Sequence, residues 1–172
     1  MPHVETVRSQ ERARVRLWGR KAGAFLLLWA AAMAVLLAAV LWLLPHPVAA
    51  AEPFIVIVNA ANPVSSVPSD QLAGFFLKKV TQWNSGLPAQ PVDLGADSAV
   101  RESFSHQIHH KGTAAVKAYW QQMIFSGREV PPPEKASARE VVAFVSANRG
   151  GVGYVPAGTP LGSEAKAVDV KP

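Results

Sequence analysis

Ser98 and Arg101 are the residues best spaced for chemistry. The turn Gly95-Ala96-Asp97-Ser98 runs into a helical pattern, so a helix begins at Asp97 or Ser98. A helix start offers free backbone N–H groups and a partial positive charge, which suit an anion. Ser98 adds a hydroxyl, the amides of Ala99 and Val100 add two N–H groups, and Arg101 adds a counter-charge. A guanidinium can hold a tetrahedral oxyanion through two parallel hydrogen bonds. Arg128, in Ser126-Gly127-Arg128, is a candidate second contact. The same residues also read as an ordinary N-cap, a surface arginine and a surface turn.

Other candidates are weaker. On a helix, His106 and His110 share a face at i, i+4, with His109 between them. That face lies opposite Val100, Phe104 and Ile108, so it is solvated. No carboxylate stands where it would complete a metal site, and none is expected. A Gly-x-Ser-x-Gly elbow, a phosphate loop with Lys and a His-Glu-x-x-His pattern are all missing. Ser65 and Ser66 have no evident base and read as turn residues. Tyr119 and Trp120 lie in a helical apolar pattern and read as core. These features favour binding over catalysis, with no cofactor.

The elements that must position Ser98 follow from periodicity. Phe54-Ile55-Val56-Ile57-Val58 is a continuous apolar run and predicts a central strand buried on both faces. Asn59 to Pro68 is a loop, and a helix follows with Leu72, Phe75 and Phe76 on one side. Gln90 to Leu94 predicts a short strand. The helix beginning at Asp97 or Ser98 carries an inner stripe of Val100, Phe104 and Ile108 and ends at Gly112. Thr113 opens another, with Val116, Tyr119, Trp120, Met123 and Ile124 at helical spacing. Pro131-Pro132-Pro133 stiffens the next connection. Ser137-Ala138-Arg139-Glu140 is a capping box, followed by Val141, Val142 and Val145 inward. Val152-Gly153-Tyr154-Val155 is a last short strand, and residues 156–172 read as a weakly ordered tail. Alternating strands and helices predict an α/β layered domain.

Ahead of this domain lies an export segment. Six Lys and Arg in the first 21 residues precede Ala22 to Leu44, which carries no charge over 23 residues. Small residues Ala49 and Ala51 fit a signal-peptidase cut before Glu52. The apolar run is also long enough to remain as a membrane anchor, since a span needs about 20 residues. Either way residues 52–172 are exported to the periplasmic side. Without residues 1–51, the chain keeps 11 Lys and Arg against 10 Asp and Glu, a net charge of +1. The basic balance therefore belongs to the export segment, and nucleic acid is not an expected partner. The remaining 121 residues suffice for one domain, and the absence of cysteine excludes disulfides and thiol chemistry.

The order of segments resembles the second lobe of periplasmic phosphate-binding, PstS-like proteins. The resemblance rests on Val58-Asn59-Ala60-Ala61-Asn62-Pro63-Val64, on Phe75-Phe76-Leu77-Lys78, on Trp83, and on Pro91-Val92. It continues through Ser98 and Arg101-Glu102-Ser103-Phe104, Tyr119-Trp120 and Gly151-Val152-Gly153-Tyr154-Val155, spanning residues 54–155. It implies a single lobe over 52–155, with a small mixed sheet and about four helices. Such proteins have two lobes that close on phosphate and deliver it to an ABC transporter. Their loop reads Arg, spacer, Ser-Gly-Thr-Arg. Ser98 and Arg101 match the Ser and final Arg, whereas Leu94, Ala99 and Val100 replace the first Arg, the Gly and the Thr. The resemblance thus implies weak binding of phosphate or a similar oxyanion, as an accessory or binding component of phosphate uptake or sensing. The partner would be a transporter permease or an envelope sensor. The alternative is an interaction module that kept the fold and lost the ligand.

Overall fold

The computed structural model describes residues 51–172, together with Met33 and Leu37. The expected export segment lies outside the described residues. Among those described, no helix is long and apolar enough to cross a membrane.

Residues Ala50–Pro172 form one compact unit. Its centre is β1 (Phe54–Asn59), whose continuous apolar run lets both faces be covered. β1 pairs antiparallel with β6 (Gly151–Pro156) on one side and β7 (Ala165–Lys171) on the other. β2 (Ser66–Pro68) adds parallel to β7, and β3 (Gln90–Pro91) adds parallel to β6. The five-stranded mixed sheet has the order β2-β7-β1-β6-β3. The predicted strand at 90–94 divides: Gln90–Pro91 joins this sheet, and β4 (Asp93–Leu94) pairs with β5 (Glu134–Lys135) in a separate two-stranded ribbon.

Helices cover both faces. α4 (Ala138–Ala147) begins at the Ser137 cap, whose Oγ accepts from the Glu140 N–H at 3.3 Å. It packs Val141 and Val145 so close over Gly153 that a Cβ there would lie 2.7 Å from the Val141 side chain. On the opposite face, α1 (Ser69–Phe76) and α2 (Ala99–Phe104) bring Phe76 and Phe104 onto Tyr154. The Phe104 and Tyr154 rings stack with centroids 3.9 Å apart. The buried apolar core runs from Val56 to Val168, within this unit.

Three expectations need correction. The segment 156–172 is not a weak tail: β7 lies inside the sheet between β2 and β1, with Ala165 and Val168 buried. The helix predicted to run to Gly112 stops short. α2 passes into a π-helical turn, Ser105–His109, and His110 turns left-handed at φ 53°. Val100, Phe104 and Ile108 are buried all the same. In α3 (Thr113–Phe125), only Val116 and Trp120 of the predicted inner stripe are buried, while Ile124 is 49% exposed.

Candidate functional site

Ser98 caps α2, its Oγ accepting the Arg101 N–H at 3.3 Å. The N–H groups of Ala99 and Val100 belong to the first turn, where a helix has no acceptor of its own to offer. Ala99 is exposed and Val100 buried. Ser98 and the two amides thus lie in one turn at the start of α2.

Arg101 is a different matter. Its backbone joins the cap, but its guanidinium is engaged elsewhere. Nη1 donates to the Leu94 carbonyl at 2.8 Å and to Glu134 Oε1 at 2.7 Å, and Nη2 pairs with Asp93 Oδ2 at 3.0 Å. The Arg101 and Asp93 side chains are each 11% exposed, against 47% for Glu134. Asp93 also accepts from the Tyr154 hydroxyl and, at 3.0 Å, from the Leu94 N–H. One cation thus meets two carboxylates. Burial lifts the Asp93 carboxyl above its ordinary range, against the pull of Arg101 and the Tyr154 hydrogen bond. Burial also opposes the Arg101 charge, but Asp93 and Glu134 outweigh it and raise its pKa. Burial and the adjacent Asp93 charge push the Tyr154 hydroxyl upward, so it stays a donor.

Arg128 is exposed in the turn after α3. Its N–H donates to the Met123 carbonyl at 3.1 Å. Among the described residues no ion pair joins it to α2. Lys78 and Glu129 pair nearby at 3.6 Å.

The histidines separate. The π turn takes His110 off the helix, so it does not share a face with His106 at i, i+4. A carboxylate does stand beside His106, contrary to expectation: its Nε2 lies 2.8 Å from Glu102 Oε1. Glu102 also accepts from the Thr113 hydroxyl, and this bond above all lowers its pKa. His109 lies beside Phe104 and Phe76, its Nδ1 buried without a hydrogen-bond partner. Burial, with Lys111, Arg101, His110 and Lys79 around it, lowers its pKa to about 4. Among the described residues no three His, Asp or Glu side chains group as a metal site.

A cavity of about 430 Å3 opens beside Arg101, between α2, α3 and the Pro131–Glu134 segment. A larger hollow of about 750 Å3 lies at β1, β7 and the π turn. It carries the carboxyls of Asp70 and Asp169 and is poorly suited to an anion. Sequence reasoning missed Asp93, Glu134 and Tyr154. The one local signal was an acid inside an apolar strand, since Asp93 sits between Val92 and Leu94.

Comparison with known proteins agrees with this architecture. The fold is similar to that of an ABC-type phosphate transport receptor from Vibrio cholerae, at 23% identity and a TM-score of 0.54 over 69% of this chain. It is also similar to PstS from Borrelia burgdorferi, at 12% identity and a TM-score of 0.53 over 70% of this chain. The chain spans 46% and 47% of the lengths of those two structures. No curated protein matches the sequence. A family described as a PBP superfamily domain matches residues 44–171. That match runs through β7 to nearly the last residue, and the chain belongs to the PBP superfamily.

Proposed function

We propose that residues 52–172 act as an exported, PstS-like single lobe that binds phosphate or a similar oxyanion weakly. Its role would be that of an accessory or substrate-binding component of phosphate uptake or sensing, with no catalytic step. The observation that carries this reading is the Ser98-capped start of α2, which leaves the Ala99 and Val100 amides for an anion. The similarity to a phosphate transport receptor and to PstS supplies the ligand class. Weakness follows from three features. Arg101 shares its charge with Asp93 and Glu134. Leu94 adds no second cation. A single lobe acting alone would also leave the anion hydrated, where each hydrogen bond contributes less. Arg128 is the proposed outlying cation. A transporter permease or envelope sensor would be the partner, and the periplasmic side the location.

The test is a phosphate titration of residues 52–172 followed by NMR. Amide shifts confined to 97–101, saturating near millimolar phosphate, are expected. A flat response there would refute ligand binding at this turn.

The second reading, an interaction module without ligand, has its own support at the end of α3. Phe125 is 90% exposed, Ile124 49% and Val130 61%. A contiguous apolar patch at this turn would mark an interaction surface. Loss of self-association or of envelope-protein capture on replacing Phe125 by Ser would favour it.

A further inference from the structure

The cavity beside Arg101 is distinct from the Ser98 turn: neither Ser98, Ala99 nor Val100 lines it. Arg101 and Glu134, bonded to each other, are among its lining residues. Thr113, Lys117 and Gln121 come from α3, and Trp120 forms part of an apolar wall with Ile124 and Pro131. Lys117 and Gln121 are one helical turn apart and exposed, so both can reach the same group. The volume, about 430 Å3, is that of a pocket for a small organic molecule and exceeds what a lone inorganic ion fills.

We propose that this cavity binds a small organic oxyanion, such as a phosphomonoester or carboxylate on an apolar body, and that Glu134 is a built-in competitor holding its place on Arg101. The oxyanion class rests on the reading given above; the pocket, the apolar body and the competitor do not. Glu134 Oε1 already places a carboxylate oxygen 2.7 Å from Arg101 Nη1 at the cavity wall. A ligand oxygen therefore has a demonstrated geometry to copy. The two carboxylates on Arg101 differ in how readily they leave. Asp93 is buried and further held by Tyr154, so it stays. Glu134 is 47% exposed on a two-residue strand, so of the two carboxylates it is the one that solvent or a ligand can reach and replace. With Glu134 in place, Arg101 and Lys117 are balanced by Asp93 and Glu134. Displacing Glu134 leaves one net positive charge at the pocket, with Lys117 and Gln121 free to take further oxygens. The apolar wall would receive the body of the ligand.

The experiment titrates phenyl phosphate into the full chain in detergent micelles, following the Trp120 indole N–H by NMR. The E134Q variant removes the competitor while keeping the size of the side chain. Phenyl phosphate should bind E134Q at least tenfold tighter than the unchanged chain, and adding K117M should reverse the gain. Equal affinity in E134Q and the unchanged chain overturns the proposal. So does a gain that K117M leaves intact. Should E134Q lose cooperative unfolding, K117M in the unchanged chain decides: weaker binding supports the pocket and unchanged binding overturns it. Inorganic phosphate in parallel separates the two sites. Shifts at 97–101 without any effect of E134Q keep the weak phosphate site and discard this pocket. Phenyl phosphate binding to E134Q with silent 98–100 amides, those of the turn that does not line the pocket, does the reverse.

Discussion

His109 illustrates how far a single side chain can depart from its apparent role. One of three histidines in five positions, it is drawn against Phe76 and Phe104, with Nδ1 unpartnered. The folded state holds it neutral down to about pH 4, whereas an unfolded chain protonates it near 6.5. Between those values the unfolded state binds more protons, so stability is complete above pH 6.5 and is lost as pH falls through 4. The shift corresponds to at most about 3 kcal/mol. Asp93 works in the opposite sense, because its raised pKa favours the folded state as pH falls. The useful comparison is therefore between variants. His109→Leu should flatten the fall of the urea midpoint between pH 6.5 and 4 relative to the unchanged chain. Identical slopes would show that the imidazole is not held neutral. Arg101 departs just as far. Its spacing from Ser98 suggests a surface counter-charge, yet the side chain is buried and joins β4, β5 and α2 through two carboxylates and a carbonyl.

Among the elements, β7 changes the account of the domain most. Its residues Ala165-Lys166-Ala167-Val168-Asp169-Val170-Lys171 are too polar to announce a sheet interior. They fit because only Ala165 and Val168 are buried, while the backbone pairs with β1 on one edge and β2 on the other. A strand in this position satisfies the ladder on both neighbours. Ending the chain at Gly162 would strip β1 of one partner and β2 of its only strand contact in the sheet. That truncation should abolish cooperative unfolding or lower the melting temperature by more than 10 °C, a loss of roughly 2–3 kcal/mol for a domain of this size. Calorimetry checks it, and an unchanged transition would return 165–171 to the status of a dispensable tail. By contrast, α4 behaves as its capping box indicates, because Ser137 and Glu140 act within one turn of chain.

At the scale of the molecule, charge and length matter most. Residues 52–172 carry a net charge of only +1 and span less than half of the phosphate transport receptor they are similar to. On the single-lobe reading, a ligand would be held by one surface, or a partner would supply the other wall. On the export reading, a partner would be met at the periplasmic side. A signal cut after Ala51 would release the lobe, and an intact apolar run would tether it beside membrane proteins. Intact mass of the exported chain distinguishes them: a protein starting at Glu52 is expected, and an uncut mass would refute cleavage in favour of the tether.

Much of this was legible in the amino-acid sequence because it depends on short-range physics. Five consecutive apolar residues make β1 a central strand. The caps at Ser98 and Ser137 act over three residues. The order of segments from Val58 to Val155 already resembled a PstS-like lobe, in agreement with the family match. What the sequence could not contain was partnership across the chain. Asp93 reaches Arg101 at eight residues' separation, Glu134 at 33 and Tyr154 reaches Asp93 at 61. No local pattern encodes such pairs, and they decide whether Arg101 is free to bind. The strand identity of β7 was hidden for the same reason, since its order comes from hydrogen bonds to β1 and β2 rather than from its own side chains.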